Sequence, residues 1–267
     1  MANNSNLSKR AALRQAQEMD ERNKRNKRIM GFGFGLAALV VVVVLAIVIV
    51  QAIGNRTSVA EEQLTPPAAT EGYGIPLEGN APSADKPHLV LWEDYQCPAC
   101  ASFHATLGPI VDQLVADGSI TTEIRTAHFL DQAREDGPSS RTAVAAAAAA
   151  EVGAFEDFHR VAFDFQDTGY TDQVLRNDIP QAAGITGEDL TRYVELYNSR
   201  SFQEWVDNAD QKFLDDAVDA TPAYVVSGQR LDLGSIEPTT EGFLRAVTAA
   251  WEEGGKEIDV KPEPYQR

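Results

Sequence analysis

The chain has 267 residues, 43% of them apolar and 24% charged, which allows one large or two small folded domains and excludes wholesale disorder. A formal net charge of −17 argues against a nucleic-acid partner, which needs clustered positive charge. Two cysteines exclude a disulfide-dense scaffold and an all-cysteine zinc site.

The charge is uneven along the chain. Residues 1–28 carry eight basic and three acidic side chains, residues 29–55 carry neither, and residues 56–267 carry 15 basic and 37 acidic ones. Residues 1–28 read as a cytoplasmic basic tail. Ile29 to Ile53 is almost wholly apolar and exceeds the roughly 20 residues that a helix needs to cross the hydrocarbon layer, so 29–53 is expected to be a transmembrane helix in contact with the lipid bilayer. Arg22, Lys24, Arg25, Lys27 and Arg28 crowd its N-terminal flank, which keeps the N-terminus in the cytoplasm and places the acidic remainder outside a single-pass membrane protein. A cleaved signal peptide is the rival reading, but its apolar region is normally about 7–15 residues. Residues 54–72, with Pro66-Pro67, read as a linker.

Residues 73–267 read as one domain. Ile75-Pro76-Leu77 is a candidate leading strand, and His88 to Trp92 is apolar enough for a central strand. A helix is expected from Cys97 to about Ala116, with Leu107, Ile110, Val111 and Leu114 on one face and Gly118 ending it. Ile120 to Arg125 alternates as a second strand. Arg141 to Phe163 is a helical block built on Ala145 to Ala150, Ile179 to Ile185 reads as a short turn region, and Glu188 to Leu196 and Ser201 to Val218 read as helices. Ala223 to Val226 is a strand, Ser227-Gly228-Gln229 a hairpin turn, Arg230 to Leu233 its return, and Thr239 to Glu253 the last helix. This order predicts an α/β domain with a small mixed sheet interrupted by a helical block.

The chemistry centres on Cys97-Pro98-Ala99-Cys100, directly after a strong strand and at a helix start. Free N–H groups and the helix dipole there stabilise a thiolate at Cys97 and make it the attacking sulfur. Pro98 suits the first helical turn, and Cys100 lies one turn along on the same side. A metal role for the pair needs about four ligands, yet His88, His104, His128 and His159 are isolated in the sequence, so no metal is expected. A reversible redox pair is the favoured reading over an inert bridge, since so small a loop removes little chain entropy. His104 could lie on the helix side that influences either thiol, against the plainer reading of an exposed or partly buried histidine with no role, and Glu93 or Asp94 could move protons or tune the thiols, against the plainer reading of polar residues at the surface.

Asp94-Tyr95-Gln96-Cys97-Pro98-Ala99-Cys100 with Phe103, the alanine-rich helical block, and Thr221-Pro222-Ala223-Tyr224-Val225-Val226-Ser227-Gly228 together resemble the bacterial DsbA-like branch of the thioredoxin superfamily over about residues 73–255. The resemblance implies a thioredoxin-like fold with a helical insertion. Cys97 would be the exposed nucleophile, Cys100 the buried resolving thiol, and Thr221-Pro222 a cis peptide that grips substrate backbone opposite the pair. It implies no cofactor beyond the Cys97–Cys100 disulfide, exported cysteine-containing proteins as substrates, and a membrane redox partner that reoxidises the pair. Two departures stand out: Ala99 occupies the place of a histidine in strongly oxidising relatives, and Leu91 the place of a buried acid six residues before the first cysteine. The expected activity is a membrane-anchored thiol–disulfide oxidoreductase that forms disulfides. A reductase or isomerase on the same fold is the main alternative, and a non-catalytic interaction domain a lesser one.

Overall fold

The computed structural model describes residues 59–132, 136–258 and 261–262. The expected membrane helix 29–53 lies outside them, and among the described residues no helix is long and apolar enough to cross a membrane.

Five strands form one mixed sheet in the order β1-β3-β2-β4-β5: β1 (Ile75–Pro76), β2 (His88–Glu93), β3 (Thr121–Thr126), β4 (Ala223–Val226) and β5 (Gln229–Arg230). β2 is the middle strand, parallel to β3 from His88↔Thr121 to Glu93↔Thr126 and antiparallel to β4 from Leu89↔Val226 to Trp92↔Ala223. The β2–β3 crossover is α1 (Pro98–Ala116), which buries Leu107, Val111, Leu114 and Val115. Its end is set by Gly118, which adopts a φ of 76°.

Between β3 and β4 lies the helical insertion: α2 (Pro138–Glu151), α3 (Phe155–Ala162), a π turn at Val174–Asp178, α4 (Ile179–Ala182), α5 (Gly187–Asn198) and α6 (Gln203–Asp215). The block expected as one helix is broken at Gly153, which turns with a φ of 71°. The stretch expected as a turn at Ile179 to Ile185 is partly helical, since Pro180 fits the first turn of α4. α7 (Thr240–Glu253) closes the chain, and the Thr239 side chain caps it by accepting from the Gly242 N–H. The return after the hairpin is shorter than expected. Only Gln229 and Arg230 pair as β5, beyond a turn in which Ser227 and Gly228 both have positive φ.

The strand period sorts the core. Leu89 and Leu91 face α1 and the insertion, in one cluster with Tyr95, Cys100, Phe158 and Tyr193. Val90 and Trp92 face the other way, against Phe213 and Val218. The alternation read in β3 does not leave a solvated face, because all six residues are buried. Glu123 pairs with Arg125 and with His88, whose Nε2 lies 3.4 Å from Oε2, so the charges neutralise each other inside the fold. The turn before β1 lies directly over them. A Cβ on Gly74 would sit 2.5 Å from the Glu123 carboxyl carbon, so only glycine permits that cover. From Ala60, the segment read as a linker is laid against the domain: the N–H groups of Ala60 and Leu64 donate to the carbonyls of Ser199 and Ser201, each at 2.7 Å.

Candidate active site

The end of β2 delivers the chain to the start of α1. Cys97 is the N-cap, extended at φ −76° and ψ 116°, and its sulfur accepts from the Cys100 N–H at 3.4 Å. Pro98 follows at the first helical position, where its missing N–H leaves nothing unpaired. One turn of helix separates two unlike environments. Cys97 keeps 7% of its surface exposed and Cys100 keeps none, while Pro98 and Ala99 form an exposed rim between them. Both cysteines are free thiols. The Thr221–Pro222 bond is cis, and the Cys97 thiol donates to the Thr221 carbonyl at 3.3 Å.

These surroundings separate the two sulfurs electrostatically. A hydrogen bond from the Cys100 thiol, assisted by Thr221 and the N–H groups of Cys100 and Ala99, outweighs partial burial and brings Cys97 down to about 5. Burial drives Cys100 the other way, far above the ordinary thiol value, with its hydrogen bond to Cys97 and the nearby Glu93 charge adding to the effect. At neutral pH the reduced pair is therefore one thiolate and one thiol.

The loop that holds Cys97 is clamped from two sides. Asp94 is fully buried, not on the surface. Its carboxylate accepts the Gln96 N–H at 2.8 Å, the Leu130 N–H at 3.2 Å and the Ser139 hydroxyl. Burial nevertheless wins over those bonds and raises Asp94 to about 6. The Gln96 amide donates to Asp131 and to the Ser139 hydroxyl, each at 2.7 Å. Asp131 in turn accepts the N–H groups of Ser139 and Ser140 at 3.1 and 2.8 Å, capping α2 from a distant loop. A Cβ on Gly137 would lie 2.0 Å from the Asp131 carboxyl carbon, so this approach requires glycine. From the other side the Gln166 amide donates to the carbonyls of Tyr95 and Cys97 at 2.8 and 3.1 Å, and the Tyr170 hydroxyl lies 3.0 Å from the Tyr95 carbonyl.

Glu93 is the second correction to the surface reading. It is 2% exposed and, by strand alternation, points to the same side as Leu91, toward α1. Its Oε2 lies 3.2 Å from Nε2 of His159, whose Nδ1 is 3.1 Å from the Tyr95 hydroxyl. Among the described residues His104 makes its ring contacts with His159 and Phe163 and has no hydrogen bond to either thiol. It packs edge-on to His159 with ring centroids 5.1 Å apart, and burial followed by the His159 charge lowers it below the usual histidine value. The sequence points to Glu93, Asp94 and His104 and leaves His159 an isolated histidine, whereas Ser139, Gln166 and Tyr170 carry no signal in it. These come from the insertion, and their hydrogen bonds to the cysteine loop leave no local pattern.

A family model described as Thioredoxin matches residues 79–247, more than half of the chain. The chain belongs to the thioredoxin family. Its described domain is also similar to solved structures. It superposes on the MdbA protein, a thiol-disulfide oxidoreductase from Actinomyces oris, with a TM-score of 0.59 and 21% identity, over 72% of this chain and 95% of that one. The MdbA protein of Corynebacterium diphtheriae gives a TM-score of 0.56 at 19% identity, over 70% and 95% of the two chains. BdbD from Bacillus subtilis gives 0.54 at 16%, over 73% and 99%. No curated protein matches the chain. At these identities the likeness establishes the fold: an α/β thioredoxin-like frame with extra helices, of the kind carried by DsbA- and MdbA-type oxidoreductases.

Proposed function

We propose that the domain is a thiol–disulfide oxidoreductase that forms disulfides in exported proteins. The observation that carries this reading is the split between the two sulfurs: Cys97, 7% exposed beside Thr221 and brought to about 5, and Cys100, wholly buried and held protonated. In the oxidised enzyme a substrate thiolate attacks Sγ of Cys97. The Cys97–Cys100 bond breaks, its electron pair leaves on Cys100, and that sulfur takes up a proton as its burial demands. A second substrate thiol gives up its proton and attacks the mixed disulfide, expelling Cys97 as a thiolate. The substrate thus loses two electrons and two protons. The enzyme gains the two electrons as a Cys97 thiolate and a Cys100 thiol, and one proton goes to solvent.

A stable Cys97 thiolate favours the dithiol form, which makes the disulfide an oxidant and explains the direction. Thr221, whose carbonyl meets the Cys97 sulfur, and Pro222 would receive the substrate backbone beside a nucleophile that is buried to 7% exposure, not open as the family resemblance implied. Turnover requires an external oxidant, for which a quinone-linked membrane protein fits an anchor at residues 29–53 and a catalytic domain outside a bacterial cell membrane. The exposed Ala99 offers Cys97 no polar side chain, which favours a milder oxidant with some isomerase activity.

Trapping in the native envelope tests the proposal. Cys100→Ser should accumulate mixed disulfides with exported proteins, seen as high-mass bands on non-reducing gels that vanish with reductant, and Cys97→Ser should yield none. Equal trapping by both variants would remove Cys97 as the nucleophile.

A further inference from the structure

Three elements distant in sequence converge: Glu93 from the end of β2, His104 from α1 and His159 from α3. One carboxylate oxygen and one ring nitrogen from each histidine all lie within 4.8 Å of one another. We propose that Glu93, His104 and His159 form a binding site for one divalent transition-metal ion of the zinc type.

The geometry is that of a site more than of a simple ion pair. Glu93 is 2% exposed, and neither of its carboxylate oxygens is hydrogen-bonded among the described residues. A buried carboxylate normally fills several lone-pair positions, so the single contact to His159 leaves Oε1 unsatisfied. The 3.2 Å between Oε2 of Glu93 and Nε2 of His159 is close to the roughly 3.3 Å that separates ligand atoms around a tetrahedral ion with bonds of about 2.0–2.1 Å. The rings of His159 and His104 stand at 89° to each other, so their lone pairs can converge without the planes colliding.

The His159 imidazole also has its far side engaged, since its Nδ1 meets the Tyr95 hydroxyl at 3.1 Å. Outer-shell partners of this kind orient metal-ligating histidines and select the nitrogen left free. Two imidazoles and one carboxylate favour zinc or a similar ion over calcium or magnesium, which take oxygen ligands. Three protein ligands leave a fourth position. A cavity of about 20 Å³ lined by His104, His159, Asp112, Glu156 and Arg160 adjoins the two histidines and is large enough for one water. A bound ion would join strand, crossover helix and insertion, stapling the insertion to the frame.

The test uses the full-length protein in detergent with the cysteine pair oxidised, so that no thiol can ligate. Zinc is titrated in competition with a chromophoric chelator, and cobalt(II) reports coordination number through its visible absorption. The wild type should bind one zinc per chain, show a tetrahedral cobalt spectrum and melt at a higher temperature with zinc. His104→Phe keeps the ring packing on Phe163 and removes the nitrogen. It should weaken zinc binding on the order of tenfold or more and abolish the zinc-dependent rise in melting temperature. His128→Phe, which alters the histidine beside Asp207 and Asp210, should bind like wild type. Failure of the oxidised wild type to bind zinc, equal binding by His104→Phe, or loss of binding in His128→Phe would each overturn the site. None of these outcomes bears on trapping at Cys97, so the two proposals fail separately.

Discussion

The frame and the insertion contribute different things to one site. The frame (β2, α1 and the strand opened by Thr221-Pro222) carries both cysteines and the Thr221 carbonyl that meets Cys97. The insertion supplies no sulfur. It supplies Ser139, Gln166 and Tyr170, whose donors hold the loop carrying Cys97, and His159, which faces Glu93. The difference teaches that reactivity here is encoded next to the cysteines, while the rigidity of the reacting loop is imported from up to 75 residues away. If that division is right, damage to the insertion should cost stability and precision before it alters the intrinsic acidity of Cys97.

The strongest test of the division removes bulk from the insertion. Phe158 is fully buried and packs on Tyr193, so Phe158→Ala should cost about 3–5 kcal/mol in urea unfolding. The fraction that stays folded should still titrate its thiolate absorbance at about 5, as the intact domain should. A shifted midpoint would show that the insertion sets the acidity after all.

The next effect is read against pH. A thiol lowered by folding stabilises the reduced domain fully above the unfolded thiol value of about 8.5, and that stabilisation is lost as pH falls through about 5. The reduced form should therefore gain stability relative to the oxidised form as pH rises from about 5 to about 8.5. Paired denaturation curves of both forms measure this, and a flat difference would refute the split between the sulfurs.

A smaller effect is expected at Gln166. Gln166→Ala removes two donors to the carbonyls of Tyr95 and Cys97, each worth about 0.5–1.5 kcal/mol, and should slow mixed-disulfide formation up to about tenfold. Stopped-flow reaction with a model peptide thiol reads the rate, and the midpoint of Cys97 should hardly move. The smallest change comes from the rim. Ala99→His places a polar ring on the exposed dipeptide, should lower Cys97 further, and should make the disulfide a stronger oxidant by about two- to fivefold in a glutathione equilibrium. A less oxidising variant with a lower Cys97 midpoint would break the link between thiolate stability and redox poise.

The same division explains what could be read from sequence. Cys97 to Cys100, the apolar β2 and Thr221-Pro222 are contiguous signals, and the structure places them together. Glu93 and Asp94 were visible as residues but not as buried ones, because a carboxylate by default seeks water. Only the fold reveals the Ser139 hydroxyl and the His159 ring that meet them. His104 and His159 looked isolated because α1 and α3 are joined by a strand and a second helix. Gln166 and Tyr170 follow a short 3₁₀ turn at Phe163–Phe165, in a stretch with no period to flag them. The alternation of β3 marks two faces but does not say whether one of them is wet, and both are buried.

The alanine-rich helix α2 has a consequence for how the protein tolerates change. Every residue from Ala143 to Ala149 is buried, Val144 included, so this cylinder has neighbours on all sides and almost no side chain of its own. Added methylenes in such a place overpack at a cost of about 1–3 kcal/mol. A saturation scan across α1 should show tolerance rising and falling with the helical repeat. Across α2 it should instead show an unbroken band in which only the smallest residues survive, so that drift at these positions is confined to exchanges among residues of nearly the same volume.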